Sequence, residues 1–379
     1  MKLLRLALPL ALATSVFTVA AGGASAASSV VGHLYVNDNA AGTNTIAAFD
    51  RHADGTLTPI AGSPFATGGA GTGHSIGSQG ALQQTSDGRY LLAVDAGSNQ
   101  ISVLRVSPDG GLKTVGGGSV SSGGNEPLSI AVHDNLVYVA NAGAGGSNYT
   151  GFTLNPGGHL RPLANSTVAL PDAASPGDVL FNSDGTRLAG TRVGTSQIDS
   201  FSVGTDGLLT AAAGSPFTAQ GLGPFGSEFR PTDPTQLFVS NAHDGAGNGT
   251  VSAFSDASDG TLTSIGSSPF PDVQTAPCWV EISHDGDYLF AVNTASGSIS
   301  RYAIATNGSL NLLGSTAISG THVGAFDARL SPDGKTLFVV ESGAAVVGAF
   351  SVDGGDLTEL AASPTALPAG AAGFGIVVT

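Results

Sequence analysis

A short strand-like run, mostly apolar and usually ending on a polar residue, recurs seven times along the chain. It reads His33-Leu34-Tyr35-Val36-Asn37 in the first copy and Leu91-Leu92-Ala93-Val94-Asp95 in the second. Val137-Tyr138-Val139-Ala140-Asn141, Arg187-Leu188-Ala189-Gly190-Thr191 and Leu237-Phe238-Val239-Ser240-Asn241 follow. Leu289-Phe290-Ala291-Val292-Asn293 and Leu337-Phe338-Val339-Val340-Glu341 complete the series. The spacing averages about fifty residues, a period that suits four short strands per repeat.

The segments between the copies carry the rest of each repeat. A second strand follows with a large apolar side chain at a matching place: Phe49, Leu104, Phe152, Phe201, Phe254, Tyr302 and Phe350. Recurrence in every repeat points to packing rather than recognition. Next comes a Gly-x-Leu turn, as in Asp54-Gly55-Thr56-Leu57 and Asn307-Gly308-Ser309-Leu310, where Asp-Gly and Asn-Gly supply the positive φ of a tight hairpin. A further Asp-Gly turn precedes most copies of the first run: 87–88, 184–185, 285–286 and 333–334. Each unit therefore reads strand, turn, strand, loop, strand, turn, strand. The first unit lacks its opening strand, and Phe374-Gly375-Ile376-Val377-Val378-Thr379 supplies one at the other end of the chain. The expected fold is all-β: a seven-bladed β-propeller over residues 27–379, closed by pairing the N- and C-terminal strands in blade one.

Composition agrees with many short strands and tight turns: 56 glycines and 41% hydrophobic residues, with only 11% charged. The amino terminus reads as an export signal. Lys2 and Arg5 precede an apolar run over residues 6–21, and Ala24-Ser25-Ala26 fits a small-x-small cleavage site. Residues 1–26 are thus expected to be a signal peptide and the mature chain an exported protein, secreted or periplasmic, with no membrane span. An uncleaved anchor is the competing reading, but the run is short for a bilayer and breaks at Gly22-Gly23. Losing Lys2 and Arg5 moves the formal charge from −15 to −17, which argues against nucleic acid or an anionic membrane surface as partner. Cys278, the one cysteine, has no partner for an internal disulfide and reads as a small buried hydrophobe.

Repeats such as Ser331-Pro332-Asp333-Gly334-Lys335-Thr336-Leu337-Phe338-Val339-Val340 resemble those of the lactonase-type seven-bladed propellers, which include 6-phosphogluconolactonases and carboxymuconate-lactonizing enzymes. Similar Tyr-Val-x-Asn repeats occur in non-enzymatic surface propellers. The resemblance covers the mature chain and implies a lactone substrate without a cofactor. In the family's enzymes a Gly-Pro-Arg-His segment brings a basic pair to the channel mouth; here Gly223-Pro224-Phe225-Gly226 stands in its place.

Aligning the inner strands on their Asp-Gly turns gives a column of Gln83, Ile130, Leu180, Glu228, Glu281 and Arg329. Three successive blades thus place Glu228, Glu281 and Arg329 at one depth. They form either a structural ion pair or triad between blades, or a catalytic group for ester hydrolysis. In the latter, a glutamate activates water and the arginine holds the carbonyl oxygen or a substrate carboxylate. Asp178 and Asp327, two residues earlier in their strands, are expected nearer the same mouth as substrate-binding groups. Trp279 could stack on a sugar ring or plug the space between blades. His74, in the Gly-rich stretch 67–80 expected as an enlarged loop over one face, is a further substrate-binding candidate. His74, His133, His243 and His322 show no metal-ligand spacing, so no metal is expected. Arg192 and Arg230 read as solvated or structural.

Two function classes remain. One is an exported lactone hydrolase acting at a channel mouth. The other is a non-enzymatic extracellular propeller that binds a glycan or protein through its loops. A monomer is expected for both.

Overall fold

A computed structural model describes residues 28–320 and 324–379; the expected signal peptide and His322 lie outside the described residues. Seven antiparallel sheets form the ring, and in six of them the first strand in chain order is innermost. The inner strands of blades two to seven are Leu82–Gln84, Pro127–His133, Pro176–Phe181, Pro224–Arg230, Pro277–Ile282 and Ala325–Leu330. Blade one is composite. Its inner strand, Ile376–Val378, comes from the far end of the chain and pairs with Val30–Asn37, matching Leu34 to Val378 and Val36 to Ile376. The Thr379 carbonyl oxygen accepts from His33 N at 3.2 Å and from Arg51 Nη2 at 3.1 Å. Gly32 is required there, because a Cβ would collide with that same oxygen.

The matching apolar residues of the third strands are buried in every blade, from Phe49 and Leu104 to Tyr302 and Phe350. Each pairs with the first residue of a second-strand run: Leu34 with Phe49, Leu91 with Leu104, Leu188 with Phe201, Leu337 with Phe350. This pairing corrects the sequence alignment in two blades. The equivalent runs are Leu34 to Asp38 and Leu188 to Arg192, so Asp38 and Arg192, not Asn37 and Thr191, stand where other blades carry Asp95, Asn141 or Asn241. Second strands are buried on both faces, so no in-out alternation fixes their register in the sequence.

That final polar position ties the second strand to the third and, in blade two, to the preceding blade. Asp95 accepts from Asn44 Nδ2 at 2.9 Å, Thr67 Oγ1 at 2.6 Å and Ser102 Oγ at 2.5 Å. Blade four inverts the polarity: Arg192 donates from Nε and Nη2 to Asp199, both at 2.6 Å, and Tyr149 of the preceding blade donates to the same carboxylate at 3.0 Å. Arg192 is therefore a structural residue. In five blades the outer strand is split into two pieces that both pair with the third strand. At four breaks the Ser-Pro serine fills the gap: Ser63, Ser215, Ser268 and Ser363 each accept a third-strand N–H at 2.7–3.1 Å.

Several carboxyl groups are buried away from the channel with an oxygen that accepts no hydrogen bond, among them Asp38 Oδ1, Asp256 Oδ1 (3.8 Å from Arg187 Nε) and Asp272 Oδ2. Burial raises Asp38 to about 7 and Asp256 and Asp272 to about 6. A raised carboxyl pKa means that the folded chain holds protons the unfolded chain has released. The associated stability is complete below the unfolded value and is lost as pH rises through the folded one.

Three outcomes follow for the fold. Thermal melts at matched ionic strength should give a lower Tm at about pH 8 than at about pH 5; a higher Tm at alkaline pH would contradict the buried-acid account. Deleting residues 374–379 should expose the edge of Val30–Asn37, lower the denaturant midpoint and promote self-association measured by light scattering. Gly32→Val should reproduce the loss of stability by about 1–3 kcal/mol.

Candidate functional site

The inner strands begin at one end of the ring and finish in the inter-strand turns at the other. Strand pairing defines a level of equivalent residues half-way along: Gln83 opposite Leu92, Leu180 opposite Ala189, Glu228 opposite Phe238, Glu281 opposite Phe290 and Arg329 opposite Phe338. Blade three departs from the sequence alignment. Its two-residue turn Asp134-Asn135 is shorter than the Asp-Gly turns, so Ala131, paired with Tyr138, takes the level and Ile130 lies one step off it. Val377, opposite Tyr35, completes the ring. The level therefore has two halves: Glu228, Glu281 and Arg329 from blades five to seven, and Val377, Gln83, Ala131 and Leu180 from blades one to four.

The three charged residues are brought together as the sequence indicates. Arg329 Nη1 donates to Glu281 Oε2 at 3.0 Å, and Glu281 Oε1 accepts the Leu330 N–H at 2.8 Å. Both oxygens of Glu281 are thus engaged, and its side chain is buried. Burial raises its pKa, opposed by Arg329. Glu228 differs. It is half-exposed, yet its Oε2 is enclosed without a hydrogen-bond donor. Burial, and then the neighbouring Glu281, hold its pKa well above the usual carboxylate range, with Arg329 pulling the other way. Arg329 is half-exposed and is kept charged by Glu281.

A cavity of about 300 Å³ occupies the channel here, in contact with Glu228, Arg329, Gln83, Leu180, Phe181 and Val132. Ser183 and Pro231 also border it. Both belong to turns between inner and second strands, so the cavity opens at the turn end of the ring.

The opposite end is closed. Trp279 stands against Phe225 with ring centroids 5.3 Å apart and against Phe326 at 4.9 Å, and Phe326 meets Phe374 at 4.7 Å. Trp279 is 1% exposed, so it plugs the ring and cannot stack on a ligand. The 67–80 segment adds a second layer. Its Gln79 crosses the channel: the backbone N donates to Gly177 O at 3.1 Å, Nε2 donates to Ser227 O at 2.9 Å, and Oε1 accepts Val280 N–H at 3.2 Å. Gly226 is what admits it, since a Cβ there would collide with Gln79 Oε1. Phe225 and Gly226, standing where the resemblance implies a basic pair, thus serve the seal.

Other expectations are corrected. Asp178 and Asp327 lie farther from the open mouth than Glu228 and Arg329, not nearer, because the cavity opens at the end toward which their strands run. They are 2% and 1% exposed. Asp178 accepts from Ser129 Oγ at 3.0 Å and Ser227 Oγ at 2.7 Å, and burial lifts both aspartates to about 7. His74 is exposed in the 67–80 segment, where Asn39 Nδ2 donates to its carbonyl at 2.7 Å; Asn39 lies at the closed end, so His74 is remote from the cavity. Arg230 is structural, donating to Gly286 O at 2.8 Å and Gln236 Oε1 at 3.0 Å. Cys278 is buried and its thiol is pushed up to about 11. No group of three or more His, Cys, Asp or Glu among the described residues could hold a metal ion. Gln79, Val132 and Phe181 were not singled out in the sequence; Gln79 sits in a Gly-rich stretch with no local sign that it crosses the ring.

Among solved structures, the fold is similar to a candidate 6-phosphogluconolactonase from Bacteroides uniformis, at 21% identity and TM-score 0.71, covering 88% of this chain and 96% of that one. It is equally similar to the periplasmic gluconolactonase of Pseudomonas aeruginosa, at 17% identity and TM-score 0.72, covering 91% and 98%. No protein of curated function matches the sequence. The sequence itself matches the family described as lactonase, 7-bladed beta-propeller, over residues 32–181 and 228–373. With seven blades, a terminal-strand closure and a family match over most of its length, the chain belongs to the lactonase family of seven-bladed β-propellers.

Proposed function

We propose that the chain hydrolyses an uncharged lactone in the channel cavity. The observation that carries this reading is the pairing of roles around Arg329: a guanidinium oriented by one glutamate and accessible beside a second glutamate, one of whose oxygens accepts no hydrogen bond. Ionised Glu228 takes a proton from a water that attacks the lactone carbonyl carbon. Arg329 stabilises the resulting oxyanion, and the carbonyl re-forms as the ring C–O bond breaks. Protonated Glu228 returns its proton to the departing ring oxygen, giving the hydroxy acid. Glu281 acts through Arg329 by holding it in place.

Charge argues for a neutral substrate. Among the residues lining the cavity the one arginine is already paired with Glu281, so a phosphoryl group would find no free positive charge there and would oppose ionisation of the nearby Asp178, Glu228 and Asp327. Family membership and the lactonases among the structural neighbours support the reaction class. Export through residues 1–26 is part of the proposal and fits an unphosphorylated substrate; amino-terminal sequencing of the secreted chain should start near Ala27. A second reading, a binding propeller without catalysis, is favoured by Phe225 and Gly226 in place of the family's basic pair.

The test is base-uptake titration with aldonolactones and simple lactones. Glu228→Gln should lose about 10²-fold or more in kcat, and Arg329→Gln a similar amount, with circular dichroism unchanged. The rate should rise with pH through an apparent pKa above the ordinary glutamate value, since Glu228 must ionise to act, and this limb should vanish in Glu228→Gln. Unchanged turnover in Glu228→Gln would overturn the assignment. A 6-phosphorylated lactone should be turned over at least about tenfold less efficiently than its unphosphorylated form.

A further inference from the structure

The two halves of the channel differ in what they offer a ligand. Six of the residues that line the cavity are half-exposed: Glu228, Arg329, Gln83, Val132, Leu180 and Phe181. The first two lie together on blades five and seven. Val132, Leu180 and Phe181 border the cavity from blades three and four, with Phe181 turned toward blade three and Leu180 toward blade five.

The apolar wall is built into the fold. Phe181 is braced by His133 and Tyr138, with ring centroids 6.0 and 6.1 Å away. Leu180 packs on the cluster that contains Phe229, Leu237 and Phe254. Val132 follows from the short turn of blade three, which shifts that strand's register and sets Ala131 at the level of the glutamates. A polyhydroxylated ring would leave its hydroxyls against these surfaces without partners, at a desolvation cost for each.

Resting on the proposed lactone hydrolysis, we infer that the substrate is a lactone bearing an aliphatic substituent, its ester ring against Glu228 and Arg329 and its chain along Val132, Leu180 and Phe181. The cavity, at the small end of ligand sites, sets a limit: a chain of a few carbons fills the apolar side, and longer chains emerge through the mouth.

The experiment compares δ-valerolactone, its propyl- and pentyl-substituted homologues and glucono-δ-lactone. For the wild type, kcat/KM should rise by about threefold per methylene until the wall is covered. Glucono-δ-lactone should be the poorest substrate. Leu180→Asn and, as a near-isosteric second variant, Val132→Thr should each reduce the ratio of the pentyl to the unsubstituted substrate by about tenfold. A flat chain-length series, or a preference for glucono-δ-lactone, overturns the inference while leaving the hydrolase reading intact. If no lactone is opened, calorimetric binding of pentyl-substituted and plain δ-valerolactam separates the two. Tighter pentyl binding that Leu180→Asn removes keeps the apolar site and rejects hydrolysis, whereas equal or absent binding rejects the site.

Discussion

Three paired residues at the end of the chain, Ile376–Val378 against Val30–Asn37, make the sheets into a ring. A single blade has two apolar faces and cannot bury either alone. Every blade therefore depends on two neighbours, and an open row of seven would leave one face bare at each end. The closing strand supplies the last interface. It also joins the only two blades whose contact the chain does not enforce by sequence proximity. Around this joint the structure leaves no slack: Gly32 is there because the Thr379 carbonyl occupies the place of a side chain, and Arg51 spends its guanidinium on the same oxygen.

Ring geometry also explains how a site can arise from residues far apart in sequence. Positions fifty residues apart meet at one depth, and each inner-strand side chain can reach the backbone of the next blade, as Glu281 does with Leu330. Glu228 stands in the same relation to blade six, with Glu281 beside it and one arginine shared between them. Burial in a narrow channel makes ionising all the carboxyl groups at once too costly, so one remains as a displaced acid. Chemistry and packing use the same construction here: a structural ion pair sits next to the group whose pKa it perturbs.

The repeat, the closure and the charged column were legible because each leaves a periodic trace. The fifty-residue spacing recurs through seven copies, and Glu228, Glu281 and Arg329 keep constant distances from their turns. The slips came where that trace is weak. In blades one and four the second strand is buried on both faces, so Leu34 or His33 could equally open the run; only pairing with Phe49 decides. In blade three the turn is shorter, which displaces Ile130 from the column. The depth of Asp178 and Asp327 is not legible either, because sequence orders residues along a strand without saying which end of the ring is shut. That fact depends on Gln79, whose contacts with blades four, five and six lie about one hundred to two hundred positions away.

The seal formed by Gln79 and the Trp279 cluster has a consequence for traffic. A channel blocked at one end is a cul-de-sac: whatever goes in must back out the way it came. Under the proposed hydrolysis, departing product and arriving substrate would share one doorway, neither could be swept through by the other, and water displaced by the incoming molecule would have to slip past it. Such a cavity favours ligands that leave its innermost floor untouched, and any ligand would cross the inter-strand turns that hold Ser183 and Pro231 both on entering and on leaving.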